Sequence, residues 1–161
     1  MNNPYQPPGS DPSVPDNTPG PLWKAVLFGV LVDLGGTLLS AMALLFVTAV
    51  IMAMNGASEA EITRYSQTLD PWSGLGLLMT MAGLVMSVLG GYVCARTART
   101  RIYKASAIAG AVTWMLATML SAGVETGPLD HLMSAVSFAA LLAGAAIYAQ
   151  QQRARQPGMK A

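Results

Sequence analysis

The sequence is poor in charged residues, histidine and cysteine, and each shortage excludes a class of protein. Only 11% of its 161 residues are charged, whereas 53% are hydrophobic and the mean hydropathy is +0.45. A soluble domain of this length could not bury that much apolar surface. The single cysteine, Cys94, excludes an internal disulfide framework, and the basic residues fall in short clusters that give no footprint for a nucleic acid.

The sequence also lacks a catalytic or cofactor-binding motif. Serine, histidine and aspartate all occur, but no serine lies within a nucleophile motif. Glu125, Asp130 and His131 are the one grouping of metal-ligand residue types, and one histidine with two carboxylates in a loop is a poor ligand set. We therefore expect a non-enzymatic protein without a metal or a cofactor.

Four long apolar segments dominate the chain. Runs of this length, without alternation of polar and apolar residues, predict membrane-spanning helices rather than barrel strands. The first run is too long for roughly 30 Å of hydrocarbon, so it must tilt, bend at Gly35-Gly36 or begin along the interface. The predicted fold is an all-α integral membrane four-helix bundle. Its predicted spans are residues 22–54, 73–95, 103–122 and 131–150.

Basic and acidic residues separate onto opposite ends of these spans. Lysine and arginine mark the cytoplasmic side, so both termini are predicted to be cytoplasmic, in a bacterial inner membrane, with residues 151–161 as a basic tail. The basic clusters could also attract anionic lipid headgroups. The basic residues at span ends are Lys24, Arg96, Arg99, Arg101, Lys104, Arg153, Arg155 and Lys160; the other two loops hold Glu59, Glu61, Asp70, Glu125 and Asp130, with Arg64 as the basic exception.

The segments outside the spans have their own signals. Residues 1–21 hold seven of the ten prolines and predict a disordered cytoplasmic tail. In the first outer loop, Ser58 and Glu61 have the capping-box spacing, which predicts a short surface helix as far as about Gln67. Asp130 is the predicted N-cap of the fourth span.

Small residues recur at four-residue spacing on every predicted span. Apolar burial gives little drive for helix association in lipid, so small residues at close helix contacts matter more. The spacing predicts a compact bundle, and the same strips would equally suit contact with another membrane protein or a second copy of the chain. The predicted packing residues are Gly36, Ser40, Gly83, Ser87, Gly91, Thr113, Ala117, Ser121, Ala135, Ala139 and Ala143.

Asp33 is the only charged residue well inside a predicted span. A carboxylate at the centre of a spanning helix costs about 3 kcal/mol on insertion scales, so its charge must be offset. Two interpretations stay open. If the hydrocarbon begins near Val26, Asp33 lies inside the bundle as a proton or cation site. If it begins near Leu34, Asp33 lies at the inner headgroup boundary, within reach of the basic residues there.

Two short stretches resemble the small multidrug resistance transporters, which are also four-span proteins. The run Asp33-Leu34-Gly35-Gly36-Thr37 is similar to the acidic residue followed by Gly-Thr in their first helix. The run Trp72-Ser73-Gly74-Leu75-Gly76 is similar to a Trp-Ser-Gly-x-Gly pattern in their third, although here it opens the second span and the acid is aspartate rather than glutamate. The resemblance implies exchange of protons and cationic substrates at Asp33 within a dimer. The Asn-Pro-Tyr-x-Pro-Pro start before four spans also resembles uncharacterised small bacterial inner-membrane proteins, which implies no activity.

Two hypotheses about function follow. The first is a non-enzymatic inner-membrane protein that acts through helix packing as an accessory subunit, a scaffold or a homo-oligomer, with the bilayer and a membrane protein or a second copy as partners. The second is a small ion- or proton-coupled transporter that uses Asp33. The depth of Asp33 separates the two, as does whether polar groups such as Thr37, Ser40 or Thr80 face it.

Overall fold

A computed structural model describes residues 20–120 and 127–155, and every regular element in these ranges is a helix. The elements are α1 (Leu22–Val30), a π-helical turn (Leu31–Gly35), α2 (Gly36–Met54), α3 (Glu59–Gln67), α4 (Gly74–Ala98), α5 (Ile102–Leu120) and α6 (Pro128–Arg155). The all-α prediction is confirmed for this part of the chain. The predicted N-terminal tail up to residue 19 and the end of the basic tail, residues 156–161, lie outside the described residues.

Three of the helical segments are long and apolar enough to cross a membrane. They are Leu22–Met54, Gly74–Ala98 and His131–Arg155. The third predicted span corresponds to α5, which is helical but is not among these three. The described elements are therefore those of a helical membrane protein.

The first long helix runs without a break from Leu22 to Met54. Its irregularity is the π-helical turn Leu31–Gly35, in which the backbone bonds reach one residue further than in an α-helix and the turn is wider. Gly36 then resumes ordinary right-handed helical dihedrals, with φ −63° and ψ −43°. The wide turn that contains Asp33 ends at Gly35, next to the position where the sequence predicts a bend.

Helix ends follow local capping chemistry. The predicted capping box is confirmed: the Ser58 hydroxyl accepts from the Glu61 N–H, and the Glu61 carboxylate accepts from the Ser58 N–H, at the start of α3. The Ser73 hydroxyl accepts from the Gly76 N–H and caps α4. The prediction that Asp130 is the N-cap of the last helix is wrong, because α6 begins two residues earlier at Pro128, a residue type favoured in a first turn.

Helix α4 is the centre of the bundle. It packs against α1, the π-helical turn, α2, α5 and α6. A Cβ atom on Gly91 would collide with the carbonyl oxygen of Leu141, and one on Gly144 would collide with the carbonyl oxygen of Val88. Glycine on both helices therefore lets the backbones of α4 and α6 touch, as small residues do in membrane bundles.

The buried residues gather at one end of the bundle, where α1 and α5 begin and α4 and α6 end; we call it the closed end. Its core is built from small side chains that are at most 1% exposed, namely Ala25, Cys94, Ala98, Ala105 and Ala109. At the opposite, open end, α2 contains no buried residue. The fully buried apolar core therefore lies at the closed end.

The predicted strip on α4 lies at helix contacts. Ser87 and Gly91 are buried, and a Cβ on Gly83 would lie 3.5 Å from Thr37 Cγ2. On the first long helix, Gly36 lies against Met86. Among the described residues, these predicted positions therefore pack against neighbouring helices of the same chain.

The predicted strip on α6 is not buried among the described residues. Ala135, Ala139 and Ala143 are exposed. The face that packs carries Leu141, Gly144, Ala145 and Tyr148 instead. The reason is that alanine occurs on several sides of α6, so spacing alone could not identify the side on which glycine admits the backbone of α4.

Candidate functional site

Asp33 lies in the π-helical turn and points into the bundle. Its side chain is 4% exposed, and the Ser87 hydroxyl donates a hydrogen bond of 2.7 Å to its Oδ1 atom. Ser87 is itself 3% exposed. π-Helical turns of this kind occur often at functional positions, because the wider turn redirects a side chain.

A cavity of about 230 Å³ adjoins the Asp33 carboxyl group. Four hydroxyl-bearing residues share its wall with apolar side chains, and one of them, Thr113, has a buried hydroxyl group. A ligand in the cavity would therefore meet one carboxyl group and several hydroxyl groups. The lining consists of Asp33, Leu34, Thr37, Gly110, Thr113, Trp114, Ala117, Met133, Ser134, Ser137, Phe138 and Leu141.

Among the described residues, Asp33 has no counter-charge within this cavity. None of the residues that line it is basic. Lys24 and Arg96 are two of the basic residues expected near Asp33 if it lay at the headgroup boundary, with Lys104 as the third. They line a separate pocket at the closed end together with Pro21 and Thr97. A buried carboxylate without a charged partner is strongly disfavoured, so such a group takes up a proton or a cation from outside the protein.

The cavity extends from Asp33 toward the open end only. Along α5 it includes Thr113 and Ala117, which follow the buried Gly110, and along α6 it includes Ser134 and Ser137, which precede the buried Leu141. In the other direction the helices meet backbone to backbone. Asp33 therefore lies at the boundary between the packed half of the bundle and the cavity.

Glycines close the bundle directly beneath Asp33. A Cβ on Gly90 would lie 2.8 Å from the carbonyl oxygen of Gly29 and 3.0 Å from the Asp33 Cβ, and a Cβ on Gly29 would lie 2.8 Å from the Cys94 Cβ. These approaches leave no passage between α1 and α4 at this level. The cavity therefore does not continue between α1 and α4 toward the closed end.

The predicted polar neighbours of Asp33 divide into two groups. Thr37 lines the cavity with it. The hydroxyl groups of Ser40 and Thr80 instead donate to carbonyl oxygens of their own helices, at Gly36 and Gly76. Only the first of the three predicted neighbours is therefore available to a ligand.

Some predicted packing residues turn out to line the cavity. Thr113 and Ala117 do so, while Ser121 of the same strip lies outside the described residues. The grouping of His131 with Glu125 and Asp130 is not described either, because Glu125 and the Asp130 side chain lie outside the described residues.

Sequence reasoning missed Ser134 and Ser137. The signal that could have found them is their spacing of three residues, which places two hydroxyl groups on one side of a helix. It also missed Ser87 as the partner of Asp33, because Ser87 was counted among the small packing residues. Nothing in the sequence indicates the π-helical turn that directs Asp33 inward.

No protein-family model, curated protein or solved structure matches this chain. The arguments for its function therefore come from the geometry of its own residues.

Proposed function

We propose that the chain is a four-span protein of the bacterial inner membrane with both termini in the cytoplasm. Three helices have the length and hydropathy to cross. The 19 residues of α5 are roughly 28 Å long, close to the roughly 30 Å of a hydrocarbon core. Arg96 and Arg101 flank the turn between α4 and α5, which favours a cytoplasmic position for the closed end.

Within this fold, the proposed function is binding of a proton or a small cation at Asp33, as the site of a small ion- or proton-coupled carrier. The observation that carries the proposal is the 4%-exposed carboxyl group in a cavity with hydroxyl groups and no basic side chain. Intramembrane acidic residues are rare because of their cost, and those that persist mark ion and substrate pathways. No bond-making chemistry is required of the site.

The direction in which the cavity leads supports a carrier rather than a fixed structural role for Asp33. In the proposed orientation, the cavity leads from Asp33 toward the outer side, and the Gly29–Gly90 contact closes the cytoplasmic side. A carrier would release the ion inward by separating α1 from α4 at this contact. The hydrogen bond from Ser87 would then be the interaction that changes, because Ser87 belongs to α4.

The test is direct titration of the carboxyl group in the full-length protein. Infrared difference spectra of the protein in lipid nanodiscs would be recorded between two pH values, and again with and without Na⁺. We expect a carboxyl C=O band that responds to pH or to Na⁺ and is missing in Asp33→Asn. Asp70→Asn is the matched control, because Asp70 lies in the exposed turn before α4, and it should leave the band unchanged.

The carrier step needs a flux measurement on the same samples. Proteoliposomes with an imposed pH gradient should lose it faster with the wild-type chain than with Asp33→Asn. If Asp33 titrates but the protein carries no proton flux across the proteoliposome membrane, the function is limited to ion binding. A band that responds to neither pH nor Na⁺ over the range in which the protein stays folded would refute the proposal.

A second candidate function is helix packing with a partner, as an accessory subunit, a scaffold or a homo-oligomer. The observation that favours it is that Ala135, Ala139 and Ala143 on α6 are all exposed in the described part of the chain. Small residues at four-residue spacing permit close approach of a second helix. Small residues at these positions would give no comparable packing advantage if the strip faced only lipid.

Native mass spectrometry of the tagged protein, purified in a mild detergent, tests this candidate. A second protein at fixed stoichiometry, or a stable dimer, is expected, and Ala139→Leu should dissociate it. The matched control is Ala43→Leu, which adds the same side chain at an exposed alanine of α2. A monomer in every sample, or equal effects of both variants, would argue against an interface on this strip.

A further inference from the structure

The last turns of α4 and α6 form a polar pocket at the closed end, separate from the Asp33 cavity. Its volume is about 180 Å³, several times the roughly 30 Å³ that one water molecule occupies in the liquid. Two guanidinium groups reach it, and none of the described residues that line it is acidic. The lining residues are Tyr92, Arg96, Tyr148, Gln151, Gln152 and Arg155.

The wall of the pocket is held by an aromatic pair, of which Tyr148 is buried and Tyr92 is partly buried. The rings of Tyr92 and Tyr148 meet edge to face, with centroids 5.5 Å apart and an interplanar angle of 87°. Tyr148 is 9% exposed and packs with Ala95 and Ala145, which are fully buried. Because the rings cannot move without disturbing this core, their hydroxyl groups are fixed before any ligand arrives.

Two hydrogen bonds orient the remaining polar groups. The Tyr92 hydroxyl donates to Gln151 Oε1 at 3.0 Å, and Gln152 Nε2 donates to the Tyr148 hydroxyl oxygen at 2.7 Å. Neither bond uses the amide N–H groups of Gln151 or the hydroxyl hydrogen of Tyr148. The pocket therefore presents neutral donors beside two guanidinium groups.

We propose that this pocket binds a phosphate group, supplied either by the headgroup of an anionic phospholipid or by free phosphate. Arginine presents a planar fork of donors that matches phosphate oxygens, and charge-assisted bonds of this kind are the strong ones. The pocket also lies where the apolar parts of α4 and α6 end in tyrosine followed by arginine, an order typical of the membrane–water interface. The proposal does not depend on Asp33.

Basic residues could also attract anionic lipids through their charge alone, without any pocket, and the experiment must separate these two causes. Arg96 and Arg155 lie near helix C-termini, where any cation interacts favourably with the helix dipole. Arg153 lies in the last turn of α6 with Arg155, and Arg101 lies in the turn that follows α4, but neither lines the pocket. These two residues are therefore matched controls for charge alone.

The experiment uses the full chain in a non-ionic detergent without phosphate. Phosphatidylglycerol is titrated in and counted as bound molecules by native mass spectrometry, for the wild type and for R96Q, R155Q, R101Q and R153Q. We expect R96Q and R155Q each to weaken binding about tenfold, the size of one charge-assisted hydrogen bond. R101Q and R153Q should change it less than twofold. Tyr148→Phe, which keeps the ring pair, should weaken binding by a smaller factor than the arginine variants.

Addition of inorganic phosphate distinguishes the two sources. Displacement of the lipid by phosphate, and not by chloride at equal ionic strength, would assign the site to the phosphate group itself. Retention of the lipid would assign it to a lipid headgroup. Equal losses in R153Q and R155Q, or no saturable binding by the wild type, would overturn the proposal. If R96Q fails to fold, R155Q still tests the proposal. Arg155 is the exposed last residue of α6, so its replacement should not disturb folding.

Discussion

Ser87 holds Asp33 in place across the helix interface. Its hydroxyl donates a 2.7 Å hydrogen bond to Asp33 Oδ1, and the two residues are 54 positions apart in the sequence. Both side chains are buried, so the bond is protected from solvent and ties the π-helical turn to α4. If α4 moves away from α1, either this hydrogen bond breaks or the π-helical turn moves together with α4.

A double-mutant cycle should detect this bond. Asp33→Ala, Ser87→Ala and the double variant are expected to give a coupling free energy of about 1 kcal/mol, within the range that such cycles find in membrane bundles. The measurement is unfolding of the full chain by SDS in mixed micelles, followed by circular dichroism. Ser40→Ala is the control, because its hydroxyl bonds the Gly36 carbonyl of its own helix. Equal coupling of Asp33 to Ser40 and to Ser87 would contradict the assignment.

The contacts that α4 makes with α6 and with α2 predict opposite outcomes at two glycines of its strip. Gly91→Ala places a Cβ against the carbonyl oxygen of Leu141, where only backbone could yield, and should destabilise the bundle by about 1–3 kcal/mol. Gly83→Ala places it 3.5 Å from Thr37 Cγ2, an ordinary contact, and should be neutral or slightly stabilising because alanine favours helix. The same SDS unfolding measures both. A tolerated Gly91→Ala would mean that the helices are further apart.

Much of the fold could be predicted because it depends on local signals. Long apolar runs indicated the helices, and the hydroxyl of Ser58 three residues before Glu61 was enough to locate the start of α3. The end of α4 was predicted at residue 95, but the helix continues to Ala98. The start of α6 at Pro128 was missed because Asp130 offered a stronger capping signal than the proline.

The contacts between helices were harder to predict than the helices. A soluble helix reveals its buried side by its polar side, whereas these helices are apolar nearly all round and give no such contrast. Four-residue spacing therefore fitted Ala139, which is exposed, as well as Ser87, which is buried. The cavity depends on which sides of α5 and α6 turn toward Asp33, and on a π-helical turn, and neither is encoded in a local pattern.

The capping box of α3 should respond to acid. The Ser58 backbone N–H, at 2.8 Å, and then the Ser58 hydroxyl, at 2.9 Å, donate to Glu61 Oε2, and these bonds lower the pKa of Glu61 below its usual 4.5. A lowered folded-state pKa contributes stability that is present above pH 4.5 and is lost as the pH falls through the folded value. We therefore expect α3 to fray in acid.

Cα chemical shifts of residues 59–67 measured against pH would follow this change. Glu61→Gln should remove the acid step, because the glutamine oxygen still accepts from Ser58 and does not titrate in this range. Glu59→Gln removes a carboxylate from the same first turn without touching the capping bonds, and should keep the step. Helical shifts that stay constant in the wild type at acid pH would contradict the prediction.

The number of crossings depends on α5, and three introduced cysteines decide it. Ser66→Cys lies on α3, Thr100→Cys in the turn between α4 and α5, and Gln150→Cys near the end of α6; all three positions are exposed, whereas the native Cys94 is buried. With four spans, a membrane-impermeant maleimide added to intact cells should label Ser66→Cys alone. Thr100→Cys and Gln150→Cys should then react only after permeabilisation.

If α5 does not cross, Gln150→Cys and Thr100→Cys must lie on opposite sides, because α6 would still cross between them. Labelling of Gln150→Cys in intact cells would therefore show that α5 does not cross the membrane. The proposed ion pathway would then lack the wall that α5 supplies.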